Sequence, residues 1–253
     1  MNQKLVTKLT EDIYKSAENR TKSFYKYQKE NRDKLLLEIA KILLSYNIIN
    51  EYVKINDKDK KSLRVKLNKI INEYSNNYDE EVKDIENILS DSSKNKYSNL
   101  IILLGVMLKI KDISNINNKV INKIVNNKVD GKHWSDRLWK NKKGIEESLK
   151  KEIKSFLNGK TSVNKIEKVI RDKYSTGAGQ TSRLIENEVA RCQSEVNEYF
   201  FKVQGIIKVM YCADLDSHTC SDCSMYNGVI FYVNEDRPSL PRHCHCRCQY
   251  IPV

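Results

Sequence analysis

The sequence predicts an α+β fold that is mainly α. A helical N-terminal region leads into a further helical segment and then a small β-hairpin module stapled at the C-terminus by zinc. Three observations carry this. Apolar residues recur at helical spacing over most of the 253 residues. All three prolines lie at Pro238 or later, and a long stretch without proline favours helices. The pattern changes after Gly205 to β-branched and aromatic runs set beside clustered cysteines.

The helical stripes come in order. Leu35, Leu36, Ile39, Ala40, Leu43 and Leu44 form the first, and Leu63, Leu67, Ile70, Ile71 and Tyr74 the second. Val82, Ile85, Ile88 and Leu89 follow, then Leu100, Leu103, Leu104, Met107 and Ile110, then Ile116, Val120, Ile121, Ile124 and Val125. Asn56-Asp57-Lys58-Asp59 and Ser90-Asp91-Ser92-Ser93 read as separators, because such side chains compete for backbone groups and favour turns and caps. Residues 1–129 are therefore expected to form one helical region, whose stripes are core and not a cofactor box.

Residues 130–253 are expected to form a second region. A helix begins near Ser135 with Leu138, Ile145, Leu149, Ile153, Phe156 and Leu157 inward. Asn158-Gly159 suits its C-terminus and Thr161 or Ser162 the next N-cap. Ser175 to Gly179 reads as a flexible connection before a long helix over about Gln180–Lys202. Ile206–Tyr211 and Val229–Val233 are predicted strands, with Tyr250-Ile251 as a third.

The formal charge is +12, with 45 Lys+Arg against 33 Asp+Glu. Residues 1–129 carry 25 against 17 and residues 130–253 carry 20 against 16, so along the sequence the excess is spread. That is the pattern of solvated helix faces, and it permits contact with nucleic acid without demanding it. Met1 to Tyr14 has no apolar secretory core, and the longest apolar stretch, Leu100 to Leu108, is far short of a bilayer span. A chain made and kept in a cytoplasm, with reduced thiols, is the expectation.

Six of the seven cysteines lie between Cys212 and Cys248. Cys220-Ser221-Asp222-Cys223 is a C-x-x-C pair, and His243-Cys244-His245-Cys246-Arg247-Cys248 follows about twenty residues later. Two thiolates from one tight turn and a second pair from a separate segment make a tetrahedral, structural zinc site. The expected ligands are Cys220, Cys223, His243 and Cys246, with Cys248 as the alternative fourth. Cys244 and His245 are poorer, since neighbours in sequence rarely share one ion. Disulfides are the alternative under oxidising conditions. Catalysis is not expected. No Glu stands two residues after a His, as zinc deaminases require. Asp214, Asp216 and His218 read as turn residues, and no phosphate loop, Gly-x-Ser-x-Gly or His-Glu-x-x-His occurs.

Over residues 130–253 the ordered motifs resemble the phage head morphogenesis family, the minor head proteins similar to the F protein of phage Mu. They are Trp134–Asn141; Gly159-Lys160-Thr161-Ser162; Arg183–Arg191; Asp214–Cys220 with Cys223, Gly228 and Phe231; and Pro241–Cys248. The family's last motif runs His-Pro-x-Cys-Arg-Cys, and Cys244 stands here where proline is usual. His218 replaces the basic residue that often precedes Thr-Cys, and Glu186-Asn187-Glu188 replaces Arg-Thr-Glu. The resemblance implies a minor capsid component of a tailed phage or prophage. It would act at the portal vertex of the procapsid, with portal, capsid or scaffold proteins as partners, no membrane, and in some members a part in DNA ejection. It would be found in the host cytoplasm during assembly, then in procapsid or virion. Two other readings stand beside it: a basic protein making weak, non-specific contact with packaged DNA, and a toxin-associated domain.

Overall fold

The computed structural model describes residues 3–105, 113–213 and 220–253. Their helices are α1 (Gln3–Ser45), α2 (Asp57–Asn72), α3 (Tyr78–Gly105), α4 (Asn118–Val125), α5 (Trp134–Leu157), α6 (Val163–Gln204) and a single turn, α7 (Ser221–Ser224). The strands are β1 (Ile48–Ile49) and β2 (Tyr52–Val53), then β3 (Lys208–Cys212), β4 (Ile230–Tyr232) and β5 (Gln249–Pro252). The fold is mainly α with a small antiparallel sheet near the C-terminus, as the sequence predicts. Met107 and Ile110 of the fourth stripe lie outside the described residues, as do Asp214, Asp216 and His218. Among the described residues no helix is long and apolar enough to cross a membrane.

Compactness divides the chain elsewhere than at residues 129/130. One unit comprises Met1–Arg20, Asp84–Trp134 and Arg183–Val253; the other comprises Thr21–Lys83 and Ser135–Ser182. Each is discontinuous in sequence because α1, α3, α5 and α6 contribute residues to both.

The second unit has an apolar core built from four helices. Leu35, Ile39 and Ile42 of α1 join Leu67 and Ile71 of α2, Ile145, Leu149, Ile153 and Phe156 of α5, and Ile166 and Ile170 of α6. The first stripe is narrower than expected, since Ala40 is exposed and Leu44 is 89% exposed. Asn56 caps α2, its side-chain oxygen accepting from the Asp59 N–H at 2.9 Å. Gly159 closes α5 with φ +66°, where only glycine is unstrained. A short hairpin, β1–β2, interrupts the region read as wholly helical. Its two-residue turn is Asn50-Glu51, both at positive φ, and lacks the glycine that usually signals such a turn.

Two expected interruptions are instead helix. Ser90 to Ser93 lies inside α3, where Ser93 is buried and its hydroxyl donates to the Leu89 carbonyl at 2.8 Å. The serine is thus satisfied without leaving the helix. Ser175 to Gly179 lies inside α6, a single helix of 42 residues. Gly177 serves packing there: a β-carbon on it would stand 2.3 Å from the Tyr74 hydroxyl and 3.2 Å from Ile145 Cγ1.

In the first unit β3 is the central strand, with β4 and β5 antiparallel on either side. Cys212 of β3 and Ile251 of β5 pack with Val6 of α1, so one face of the sheet is core. Gln249 is buried, accepting from Lys96 and exchanging hydrogen bonds with Thr10. Burial brings the Lys96 ammonium down to about 8.

Gly177→Ala reverses the usual sign of a mid-helix glycine replacement. Helix propensity alone favours alanine by about 1 kcal/mol, but overpacking against the fully buried Tyr74 costs about 1–3 kcal/mol. The expected outcome is a lower urea midpoint at unchanged slope. A higher midpoint would show that Tyr74 yields freely.

Candidate metal centre

Two turns present the cysteines. In the first, the Cys223 and Ser224 N–H groups donate to the Cys220 carbonyl at 3.2 and 3.0 Å, winding α7 and bringing both thiols to one side. In the second, the Cys246 N–H donates to the His243 carbonyl at 3.2 Å, folding the H-x-x-C stretch in the same way. The first turn lies between β3 and β4 and the second directly before β5. The antiparallel pairing of β4 and β5 with β3 therefore brings distant segments together.

All five expected residues meet there. The ligand atoms of Cys220, Cys223 and His243 lie within 4.8 Å of one another, as do those of Cys223, Cys246 and Cys248. Cys223, almost fully buried, belongs to both groups. His243 Nε2 is 3.2 Å from the Cys220 sulfur and 3.3 Å from that of Cys223. Donor atoms on a tetrahedral ion of zinc's size are roughly 3.5–3.8 Å apart, so each group of three is close enough to share an ion, while Cys246 and Cys248 stand farther from Cys220 or His243 than from Cys223. Cys246 and Cys248 are both near Cys223, which leaves the alternative for the fourth ligand open.

Three further features fit a metal. His243 Nδ1 lies 2.8 Å from the Cys244 carbonyl, which can only accept, so Nδ1 carries the proton and the Nε2 lone pair faces the thiols. Fixing a ligand imidazole through its other nitrogen is the usual outer-sphere device. Second, two thiols are poised to ionise. The neighbouring Cys248 thiol brings Cys246 down to about 5, and the Cys223 backbone N–H lowers Cys220. Burial instead raises Cys223. Third, the Tyr211 hydroxyl on β3 is buried without a well-formed hydrogen bond, and it lies against Cys223 and Cys248. A buried donor left unpaired costs about 1–3 kcal/mol, and a thiolate at either cysteine would satisfy it.

His245 and the other three cysteines lie outside both groups. Cys244 is exposed and accepts from Asn187 Nδ2 at 3.4 Å, while Cys192 and Cys212 are buried outside both groups. His245 adopts φ +62°; its N–H donates to Asn187 Oδ1 at 3.1 Å and its ring contacts Glu186. Sequence reasoning missed Tyr211, Glu186 and Asn187 as supports of this segment. No spacing rule relates a strand tyrosine, or a helix sixty residues upstream, to a cysteine turn.

No family model matches the chain, and no curated protein or solved structure is similar enough to count as a match.

Tyr211→Phe keeps the ring and removes only the hydroxyl. Loss of an outer-sphere partner typically lowers metal affinity roughly 10–100-fold, and a loss in that range is expected in chelator competition, with far-UV circular dichroism unchanged. Equal affinity in the two proteins would remove Tyr211 from the site.

Proposed function

We propose that the chain is a minor head protein of a tailed phage or prophage. It is an assembly component of the procapsid at the portal vertex, and its C-terminal cluster holds one structural zinc ion. The observation that carries the reading is the meeting of two of the stretches behind the resemblance. Glu186 and Asn187, from the Arg183–Arg191 stretch, hold Cys244 and His245, from the Pro241–Cys248 stretch. These two stretches thus share one local structure, in which a long helix braces a cysteine–histidine knuckle.

Cys220, Cys223, His243 and Cys246 would hold the zinc, with Cys248 as the alternative to Cys246. A set of three thiolates and one imidazole fills a tetrahedron and leaves no open position, which is the arrangement of structural sites. The ion supplies a cross-link between the β3–β4 connection and the segment before β5. In small peptides such a link is worth about 10–16 kcal/mol at neutral pH. The reading assigns the chain no catalysis.

Elemental analysis of protein purified under reducing conditions should give one zinc per chain. Cys223→Ser, which removes the residue common to both groups, should abolish it. Folded, metal-free wild-type protein would refute the zinc assignment and leave the head assignment standing.

The head assignment has its own test. Tagged protein incubated with a procapsid extract should recover portal protein at low and at moderate salt, since an assembly interface rests on apolar contact more than on charge. Loss of portal protein at both salts would refute it.

A further inference from the structure

The tertiary grouping redistributes the charge. Thr21–Lys83 and Ser135–Ser182, the second unit, carry 26 Lys+Arg against 16 Asp+Glu, a net +10. The first unit carries 19 against 17, a net +2. Nearly all of the +12 therefore belongs to one compact body of 111 residues that has no part in the metal centre.

Within that body the cations converge. α2 and the end of α5 line a cleft of about 260 Å³, bounded by Asp57, Lys60, Lys61, Arg64, Lys154 and Leu157 among others. Asp57 is engaged by Lys60 at 2.9 Å. Lys61, Arg64 and Lys154 are exposed, and among the described residues none of them has an ion-pair partner. Three unneutralised cations from two helices around one small concavity repel one another, a cost that an anion removes. Lys58, Lys61 and Arg64 also step along α2 at three-residue intervals, about 4.5 Å of rise each. A row of cations along one helix can meet several charges of a linear polyanion such as a nucleic-acid strand.

We propose that the second unit binds the phosphate backbone of a nucleic acid, seated in the α2–α5 cleft on Lys61, Arg64 and Lys154. No aromatic side chain lines the cleft, so the contact reads charge and not bases, and the binding is independent of sequence. It is also independent of the metal centre and of the head assignment.

The experiment uses the full-length protein with its native metal content and a short, labelled, mixed-sequence DNA duplex, titrated between about 50 and 200 mM salt. The triple variant Lys61→Glu/Arg64→Glu/Lys154→Glu is compared with Lys119→Glu/Lys123→Glu/Lys128→Glu. The latter makes the same charge change at exposed positions of the first unit. Wild type should bind with an affinity that falls steeply with salt. The cleft variant should lose at least about tenfold in affinity and about 2–3 in log–log salt slope, near 0.9 for each phosphate released. The first-unit variant should lose much less. Lys61→Gln/Arg64→Gln/Lys154→Gln, checked for native helix content, repeats the cleft test without introducing acids. Duplex RNA bound through the same residues supports the proposal equally. It is overturned if no duplex binds at the lowest salt, if both sites lose affinity alike, or if poly-glutamate competes as well as DNA per unit charge.

Discussion

The second unit turns on a buried charge. Lys142 of α5 is 1% exposed, and its ammonium donates to Glu81 at 2.8 Å and to the Tyr74 carbonyl at 3.2 Å. An ammonium left alone at such depth would have to give up its proton or unfold its surroundings. The pair therefore fixes where α5 stands against the start of α3 and the turn after α2. The neighbouring contacts follow from it. Tyr74 lies under the Lys142 ammonium, packs edge-on to Tyr174 and occupies the space that Gly177 leaves. Tyr174 in turn bonds Asn31 of α1. A polar network of this kind tolerates one register of its helices, because a shift of any member strands a buried polar group.

The C-terminal sheet is held differently. Its three strands total twelve residues, and Ile230 and Tyr232 of β4 are largely exposed, so apolar burial on one face has to be supplemented. The supplement is polar and local. Arg237 reaches Glu198 and stacks over Tyr250, the Tyr250 hydroxyl donates to the Pro238 carbonyl, and the two cysteine turns meet at Cys223. The five donors lie in two overlapping groups that share Cys223. The sheet brings the 220–223 and 243–248 segments together, and an ion bound by both would cross-link them.

The two halves of the reading occupy different bodies of the protein. The cysteine–histidine cluster and its bracing helix residues belong to the nearly neutral unit, and the cationic cleft belongs to the basic one. If the chain meets both protein and nucleic acid, as proposed, that separation is an advantage. A salt-sensitive phosphate contact and a salt-resistant protein contact can each be adjusted without disturbing the other.

The sequence by itself determined what depends on composition and spacing. Helical stripes followed from residues three and four apart. The helix end at Gly159 followed from backbone preference, and the five metal-binding candidates from two short cysteine–histidine patterns. These are local properties that survive any arrangement of the rest. Tertiary structure alone decided that the helix runs on through Gly177, whose missing side chain leaves the space that Tyr74 fills. It also decided that Tyr211, Glu186 and Asn187 would support the cluster, and that a charge spread evenly along the chain would gather in one unit. Each of these depends on residues far apart in sequence meeting in space, and no periodicity or motif encodes such a meeting.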